Sequence, residues 1–301
     1  MVRRPSSPAS VGQAIVSDYT NVDTLAAFVD QRRPAYVVHV AGATKGVTYA
    51  DFQGANVRPT EALLEAFRRS DAPLRRFLYL SSLVSHGPST VREPHDEGAE
   101  PRPIEHYGRS KLEAERAVEG SGLPFTILRP GGVYGPGDVD YFNLFKSAAS
   151  GLNVYFGNRR RVFSKIYIDD MVEATLQAML HPAAENRGYF VCDGAPVSWQ
   201  DFQEAISAHA GRRVQNLDLP GGFVGLAALG GELLSAIDGR ARLFNRQKAA
   251  MGRAEAWTCT PRALERDVGF QARVSLQEGV ERSWKWYRER AWVPSLRKES
   301  A

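Results

Sequence analysis

Hydrophobic and polar positions in the first 130 residues alternate between short apolar runs and longer amphipathic stretches. The run at 35–40 is apolar throughout, which is typical of a strand buried on both faces of a parallel sheet. Stretches with apolar residues three and four positions apart predict helices. The predicted strands are 11–16, 35–40, Arg76–Leu80 and 124–128, and the predicted helices are 22–31, 55–69 and His106–Glu119. This alternation predicts an α/β fold with a doubly wound parallel sheet of the Rossmann type and right-handed crossovers.

The pattern is less regular after Pro130. It predicts helices at 141–150, 169–180 and 199–210, strands at 153–156, 162–166 and 188–192, and an amphipathic stretch at 276–290. We therefore expect a dinucleotide-binding type of domain at 1–150 and a smaller mixed α/β lobe, mainly 151–301, that caps the substrate. Some later segments, such as 162–192, are expected to return to the first domain. The glycines from Gly221 to Gly231 are interpreted as the start of a helix in the lobe.

Composition narrows the class of protein without naming a partner. The chain has 301 residues, of which 43% are hydrophobic and 24% charged, as in globular proteins. Its net charge of +4 is small and both signs are interleaved, so neither a nucleic-acid nor a membrane role follows. Cys192 and Cys259 are far apart in sequence and the six histidines form no ligand motif, so we expect no disulfide scaffold and no metal site. No stretch predicts a signal peptide or a membrane span, which favours a cytoplasmic protein.

Candidate chemistry lies at Ser82, Tyr107 and Lys111. Tyr107 and Lys111 are four residues apart on a predicted helix and therefore share one face. A tyrosine that transfers protons near neutral pH needs its pKa lowered from about 10, and a neighbouring ammonium group has that effect. Such a pair alone is more often a solvated helix face. Ser82, however, follows a predicted strand, at the sheet edge where open α/β proteins bind ligands, while Ser81 is interpreted as a polar strand end.

Several motifs in order resemble one family, the extended short-chain dehydrogenase/reductases. This family includes the NAD-dependent epimerases and dehydratases and the 3β-hydroxysteroid dehydrogenase-like enzymes, and the likeness to the latter branch is greater. The similar segments are VVHVAGAT, NVRPTEALLEAF, FLYLSSLVSHG, YGRSK, LRPGGVYGPGD, KIYIDDMVEA, GYFVCDGAPVSW and CTPRALERDVGFQARVSLQEGV. Pro59 stands where the family usually has a glycine. The resemblance covers nearly the whole chain.

The resemblance implies an enzyme that uses NAD or NADP, acts on a small-molecule substrate and forms a homodimer. It implies that Ser82 polarises the reacting C–O group, that Tyr107 transfers the proton, and that Lys111 lowers the pKa of Tyr107 and holds the nicotinamide ribose. Asp18 has the alternative of a plain turn residue, and Arg3 that of a mobile terminus. The residues implied in cofactor binding are Arg3, Asp18, Tyr19, Ala41, Gly42, Ala43, Asn56, Tyr107, Lys111, Pro130 and Gly131.

Two departures from the family shape the functional hypotheses. No Gly-x-x-Gly-x-x-Gly turn precedes Asp18, so we expect that the first βαβ unit, roughly 30 residues, is missing. Gly132 and Phe163 occupy positions where sugar-nucleotide epimerases usually carry an asparagine and an arginine, although Arg161 is close to the second position. The leading hypothesis is hydride transfer on an apolar secondary alcohol or ketone. The alternatives are a sugar-nucleotide epimerase or dehydratase, and a non-catalytic remnant that acts as a binding or regulatory module.

Overall fold

The computed structural model describes residues 18–220 and 250–294. Arg3, the predicted strand at 11–16 and the glycine-rich stretch from Gly221 lie outside the described residues. The described α-helices are α1 (Val22–Arg32), α2 (Tyr49–Phe52), α3 (Arg58–Arg68), α4 (His106–Glu119), α5 (Phe142–Ala149), α6 (Ile168–Leu180), α7 (Trp199–Ala208), α8 (Arg262–Val268) and α9 (Leu276–Glu289). The strands are β1 (Tyr36–His39), β2 (Arg76–Leu80), β3 (Phe125–Pro130), β4 (Gly132–Tyr134), β5 (Leu152–Phe156), β6 (Val162–Phe163), β7 (Lys165–Tyr167), β8 (Arg187–Val191), β9 (Val197–Ser198), β10 (Gln215–Leu219) and β11 (Ala256–Trp257).

The main sheet is parallel, with the order β1-β2-β3-β8, and it carries helices on both faces. Phe77 and Tyr79 of β2 pack with α1, α3 and α4 on one face. Leu78 packs with α6 and α8 on the other, because successive residues of a strand point to opposite faces. This arrangement is the doubly wound α/β sheet that the alternating pattern predicts.

The prediction that the run at 35–40 is buried on both faces is wrong. Tyr36 and Val38 are 38% and 42% exposed, whereas His39 is buried. The register of β1 on β2 pairs Val38 with Leu78, so both side chains lie on the face covered by α6. In the described part of the sheet β1 is an edge strand, and α6 packs over β2 and β3 instead.

A second core lies beyond β3 and consists largely of aromatic side chains. Trp284 and Tyr287 of α9 pack against Phe145 of α5 and Phe202 of α7 within this core. Short strands surround it, with β5 paired to β10 and β6 lying between β9 and β11. Of the helices in residues 18–220 and 250–294, none is long and apolar enough to cross a membrane.

Most element boundaries agree with the sequence to within a few residues, but the start of α3 differs. A single helix from residue 55 is expected, whereas Gln53–Val57 forms a π-helical turn and the α-helix begins at Arg58. π-Helical turns of this kind are frequent at functional sites. This one carries Asn56, which is buried.

Candidate active site

Ser82 and Tyr107 meet because α4 passes unusually close to the chain that leaves β2. Glu105 caps α4 and accepts a hydrogen bond from the Tyr107 amide at 2.6 Å. A Cβ atom on Gly108 would lie 2.3 Å from the Val84 carbonyl oxygen, so only glycine allows this approach. Ser82 lies beside the Tyr107 phenol, where hydrogen bonding from its hydroxyl acts to lower the pKa of the phenol. The glycine of the YGRSK motif therefore brings the two predicted catalytic groups together.

The pKa of Tyr107 is not lowered overall. Burial raises it to about 12, with smaller contributions from the carboxylates of Glu105 and Asp140, and these outweigh the opposing hydrogen bond from Ser82. The expectation that a neighbouring ammonium brings the pKa of Tyr107 below its ordinary value is therefore wrong for this structure. The phenol stays protonated throughout the physiological pH range.

Lys111 is almost fully buried. Its Nζ donates a hydrogen bond to the Leu80 carbonyl oxygen at 2.6 Å and lies 4.4 Å from the centre of the Tyr79 ring. Burial lowers its pKa to about 8, although the Glu115 carboxylate acts in the opposite direction. Lys111 is thus anchored at the carboxyl end of β2, two residues before Ser82.

Asn56 holds the loop that follows β1. Its Oδ1 accepts a hydrogen bond from the Ala43 amide at 2.7 Å, and its Nδ2 donates to the Ala43 carbonyl oxygen at 3.1 Å and to Ser110 Oγ at 2.8 Å. A Cβ on Gly42 would lie 2.7 Å from Asn56 Oδ1. Ala41–Ala43 is therefore tied to α4, the helix that carries Tyr107, with the Gly42 backbone exposed at the sheet edge.

The remaining predicted cofactor residues are placed as follows. Asp18 accepts hydrogen bonds from the Thr20 amide and hydroxyl at 2.9 and 2.7 Å, which is the turn role given as its alternative. Tyr19 beside it is half-buried. Pro130 ends β3. A Cβ on Gly131 would lie 2.5 Å from the Ser164 carbonyl oxygen, so the close approach of these two chain segments also requires glycine.

A cavity of about 1010 Å³ opens beside Ser82. Pro130 and Gly131 line it at the same end, which places three of the predicted site residues on one wall. The other walls come mainly from α5, β5, β6 and α7 and are largely apolar; they include Leu144, Val154, Phe163, Trp199 and Trp257. A chamber of this size and character suits an organic ligand with few polar groups.

Tyr141 is a site residue that sequence reasoning missed. Its ring packs against Phe163 and Phe202, and it lines the cavity. A Cβ on Gly132 would lie 2.0 Å from the Tyr141 hydroxyl oxygen, so this hydroxyl fills the space beside Gly132. The only signal in the sequence is the glycine itself.

Comparisons with known proteins agree with this geometry. The model of the NAD dependent epimerase/dehydratase family matches residues 2–192. Among curated proteins, the chain is 24% identical to a ceramide reductase of Caulobacter vibrioides, over 85% of this chain and 75% of that protein. It is 26% identical to a 3-beta-hydroxysteroid dehydrogenase of Mycolicibacterium neoaurum, over 73% of this chain and 64% of that protein. Among solved structures, MoeE5 in complex with UDP-glucuronic acid and NAD superposes with a TM-score of 0.75 at 22% identity, over 96% of this chain and 89% of that chain.

Proposed function

Because the chain belongs to the NAD dependent epimerase/dehydratase family, we propose that it is an NAD(P)-dependent oxidoreductase acting on an apolar ketone or secondary alcohol. The observation that carries the proposal is the position of Ser82, which lines one end of a largely apolar cavity and also acts on the neighbouring Tyr107 phenol. A hydroxyl donor and a protonated phenol at that end suit the reduction of a carbonyl group.

Each polar group has a role in this reaction. The Ser82 hydroxyl polarises the substrate carbonyl, and Tyr107 donates the proton that converts it to an alcohol. With its pKa at about 12, the phenol is protonated at neutral pH, which is the form that a proton donor requires. Lys111 would hold the nicotinamide ribose and place positive charge near the site. When bound, the reduced nicotinamide supplies the hydride.

The residues at the carboxyl ends of β1 and β3 fit a dinucleotide. Gly42 presents exposed backbone without a side chain, and Asn56 holds the adjoining amide in place. Close approach of backbone to a cofactor is a usual reason for glycine at such a loop. Ala41–Ala43, Pro130 and Gly131 would therefore contact the cofactor, and Lys111 would hold its ribose.

The cavity favours an apolar substrate over a sugar nucleotide. The Tyr141 hydroxyl fills the space beside Gly132, the position of the epimerase asparagine. Phe163, at the position of the epimerase arginine, stacks on Trp199 with ring centroids 4.3 Å apart. The names of two relatives, a ceramide reductase and a 3-beta-hydroxysteroid dehydrogenase, also denote apolar substrates.

The test is the loss of activity on changing Tyr107→Phe. Reduction of the ketosteroid androstanone would be followed through the absorbance of NADH or NADPH. We expect turnover to fall by about a hundredfold or more, since the proton donor is removed while the ring remains. Tyr49→Phe is the matched control, because its hydroxyl bonds to Glu113 on the neighbouring surface.

Two outcomes would contradict the proposal. Turnover of Tyr107→Phe within about tenfold of the wild type would remove the tyrosine from the proton transfer. Faster turnover of UDP-sugars than of ketones would favour the epimerase alternative. Titration of NADH fluorescence with both variants shows whether any loss of turnover arises in cofactor binding. The same titration tests the alternative of a non-catalytic binding module, in which cofactor binding would be lost or changed.

A further inference from the structure

Lys111 is buried with a charge that its polar neighbours compensate only in part. Its Nζ donates one hydrogen bond, to the Leu80 carbonyl oxygen at 2.6 Å. The carboxylate that favours its charged form is that of Glu115, which is already bonded to Arg129 at 2.8 Å and to the Ser81 hydroxyl. An ammonium has three N–H groups, and burying it costs free energy unless they are matched. A further attractive contact for this charge is therefore expected.

The aromatic ring of Tyr79 makes such a contact. The centre of the ring lies 4.4 Å from Lys111 Nζ, and a cation is attracted to the face of an aromatic ring within about 6 Å. Tyr79 is fully buried, and burial raises the pKa of its phenol well above the ordinary value of 10. The ring is therefore uncharged, and it attracts the ammonium through the electrons of its face rather than as a phenolate.

Tyr79 is itself held from β1. The His39 ring stacks on it, with the ring centroids 5.6 Å apart and the planes 28° from parallel. His39 Nε2 donates to Thr60 Oγ1 at 2.9 Å, since the hydrogen of that hydroxyl goes to the Asn56 carbonyl oxygen at 2.6 Å. Burial, together with the charge of Lys111, lowers the pKa of His39 to about 4. The neutral imidazole thus supports the Tyr79 ring without adding a second positive charge.

The titratable side chains that face this cluster come from three elements. Tyr107 and Glu115 belong to α4 with Lys111, while His39 belongs to β1 and Tyr79 to β2. The two phenols and the imidazole are uncharged near pH 8. Burial lowers the pKa of Lys111 to about 8, so a titration near that pH reports on Lys111.

We infer that Tyr79 is a positioning residue for the proposed reaction: the face of its ring keeps Lys111 charged and holds the ammonium at the carboxyl end of β2, two residues before Ser82. The inference rests on the proposed function for the role of Lys111 toward the nicotinamide ribose. Tyr79 contacts neither substrate nor cofactor and acts only through Lys111. Its hydroxyl plays no part, so the ring alone is sufficient.

A first experiment measures the pKa of Lys111 without reference to turnover. The chain has seven lysines; with ¹³C at their Cε atoms they are titrated by NMR, and Lys111→Met identifies the signal. We expect Tyr79→Phe to keep the wild-type midpoint and Tyr79→Leu to lower it by about one pH unit. Phe77→Leu is the matched control. It removes a buried ring from the same face of β2, also beside His39, but leaves the Tyr79 ring in place, so the midpoint should not change.

A second substitution weakens the attraction while keeping the shape of the ring. 3,4,5-Trifluorophenylalanine, introduced at position 79 by suppression of a stop codon, resembles phenylalanine in shape but carries less negative charge on its face. The Lys111 midpoint should then fall below that of Tyr79→Phe. This comparison stays decisive if Tyr79→Leu does not fold, because the fluorinated ring leaves no cavity.

A third measurement is the pH dependence of kcat/KM for androstanone. If the midpoint moves from about 8 to about 7, the charged fraction of Lys111 at pH 8 falls from about a half to about a tenth. We therefore expect kcat/KM of Tyr79→Leu to be about fivefold below the wild type at pH 8 and nearly equal to it at pH 6. The ratio of Phe77→Leu to the wild type should be the same at both pH values.

The outcomes separate this inference from the proposed function. An unchanged Lys111 midpoint with the fluorinated ring, or an equal shift in Phe77→Leu, would overturn the inference. A loss of kcat/KM in Tyr79→Leu that is the same at pH 6 and pH 8 would also overturn it, since the ring would then serve only the packing of the core. The expected shifts of the midpoint without ketone reduction by any of the proteins would leave the contact between Tyr79 and Lys111 standing and refute the proposed reaction.

Discussion

A buried ion pair supports the strand end that precedes Ser82, the proposed catalytic serine. Arg129 of β3 and Glu115 of α4 are joined by Nη2–Oε2 and Nε–Oε2 contacts of 2.8 and 2.9 Å. Their side chains are 9% and 1% exposed. The Ser81 hydroxyl donates to the same carboxylate. The pair therefore ties β3, α4 and the residue preceding Ser82 to one another.

The burial of both groups sets the size of the expected effect. Arg129→Met alone leaves the Glu115 carboxylate buried with only the Ser81 hydroxyl as a close partner, and such changes cost about 3–5 kcal/mol. That is a large share of the total stability of about 5–15 kcal/mol that folded proteins have. Glu115→Leu alone leaves a buried guanidinium whose nearest remaining carboxylate is that of Glu119, 3.9 Å away, and it should also be destabilising. The double variant removes both charges and replaces them by apolar groups of similar size, so we expect it to be far more stable than either single variant.

Urea unfolding of the four proteins, followed by far-ultraviolet circular dichroism, gives a double-mutant cycle. The reasoning requires a coupling free energy of about 2 kcal/mol or more between the two positions. Additive effects would refute it, as would a loss below about 1 kcal/mol in either single variant. The rate of ketone reduction by the double variant would also show whether Ser82 keeps its position when the pair is absent.

Two further predictions concern Lys111 and Gly132. The pKa of Lys111 is about 8 in the folded protein, below its ordinary value of 10.5. Between these two pH values the unfolded chain binds more protons than the folded protein, so the free energy of unfolding rises with pH. Lys111→Met should abolish this rise, and parallel stability curves for the two proteins from urea unfolding at a series of pH values would contradict it. Gly132→Ala places a Cβ 2.0 Å from the hydroxyl oxygen of Tyr141, a ring held by aromatic neighbours, so both Tm and kcat/KM should fall. Adding Tyr141→Phe should recover part of both losses, because the nearest remaining atom is the ring Cζ at 3.0 Å; no recovery in thermal unfolding and steady-state kinetics would argue against this clash.

The sequence predicted those features of the fold that depend on local pattern. The bounds of α4 and β2 are confirmed, since helical spacing and a continuous apolar run are read directly from neighbouring residues. The exposure of Val38 was not predicted, because it depends on which helix covers the adjacent strands. The family was predicted from the order of several motifs, whereas the pattern of apolar and polar residues predicts only the type of fold.

At the candidate site, residue type was easier to predict than environment. The contact between Ser82 and Tyr107 is consistent with the motif order, and their catalytic roles stay predictions, as do the homodimer and the division at residue 150. The raised pKa of Tyr107 was missed, because burial is a sum over distant parts of the chain.

The cavity described above has an evolutionary consequence. Its reacting end comes from residues that follow β2 and β3, whereas most of its remaining surface comes from α5 through β6, from α7 and from the residues before β11. These two sets of residues occupy largely separate stretches of the chain. Recombination or drift in the later stretches could therefore alter which molecule is accepted while Ser82 and Tyr107, the proposed catalytic groups, stay unchanged. Proteins with this arrangement can change their ligand specificity through substitutions in the later stretches alone.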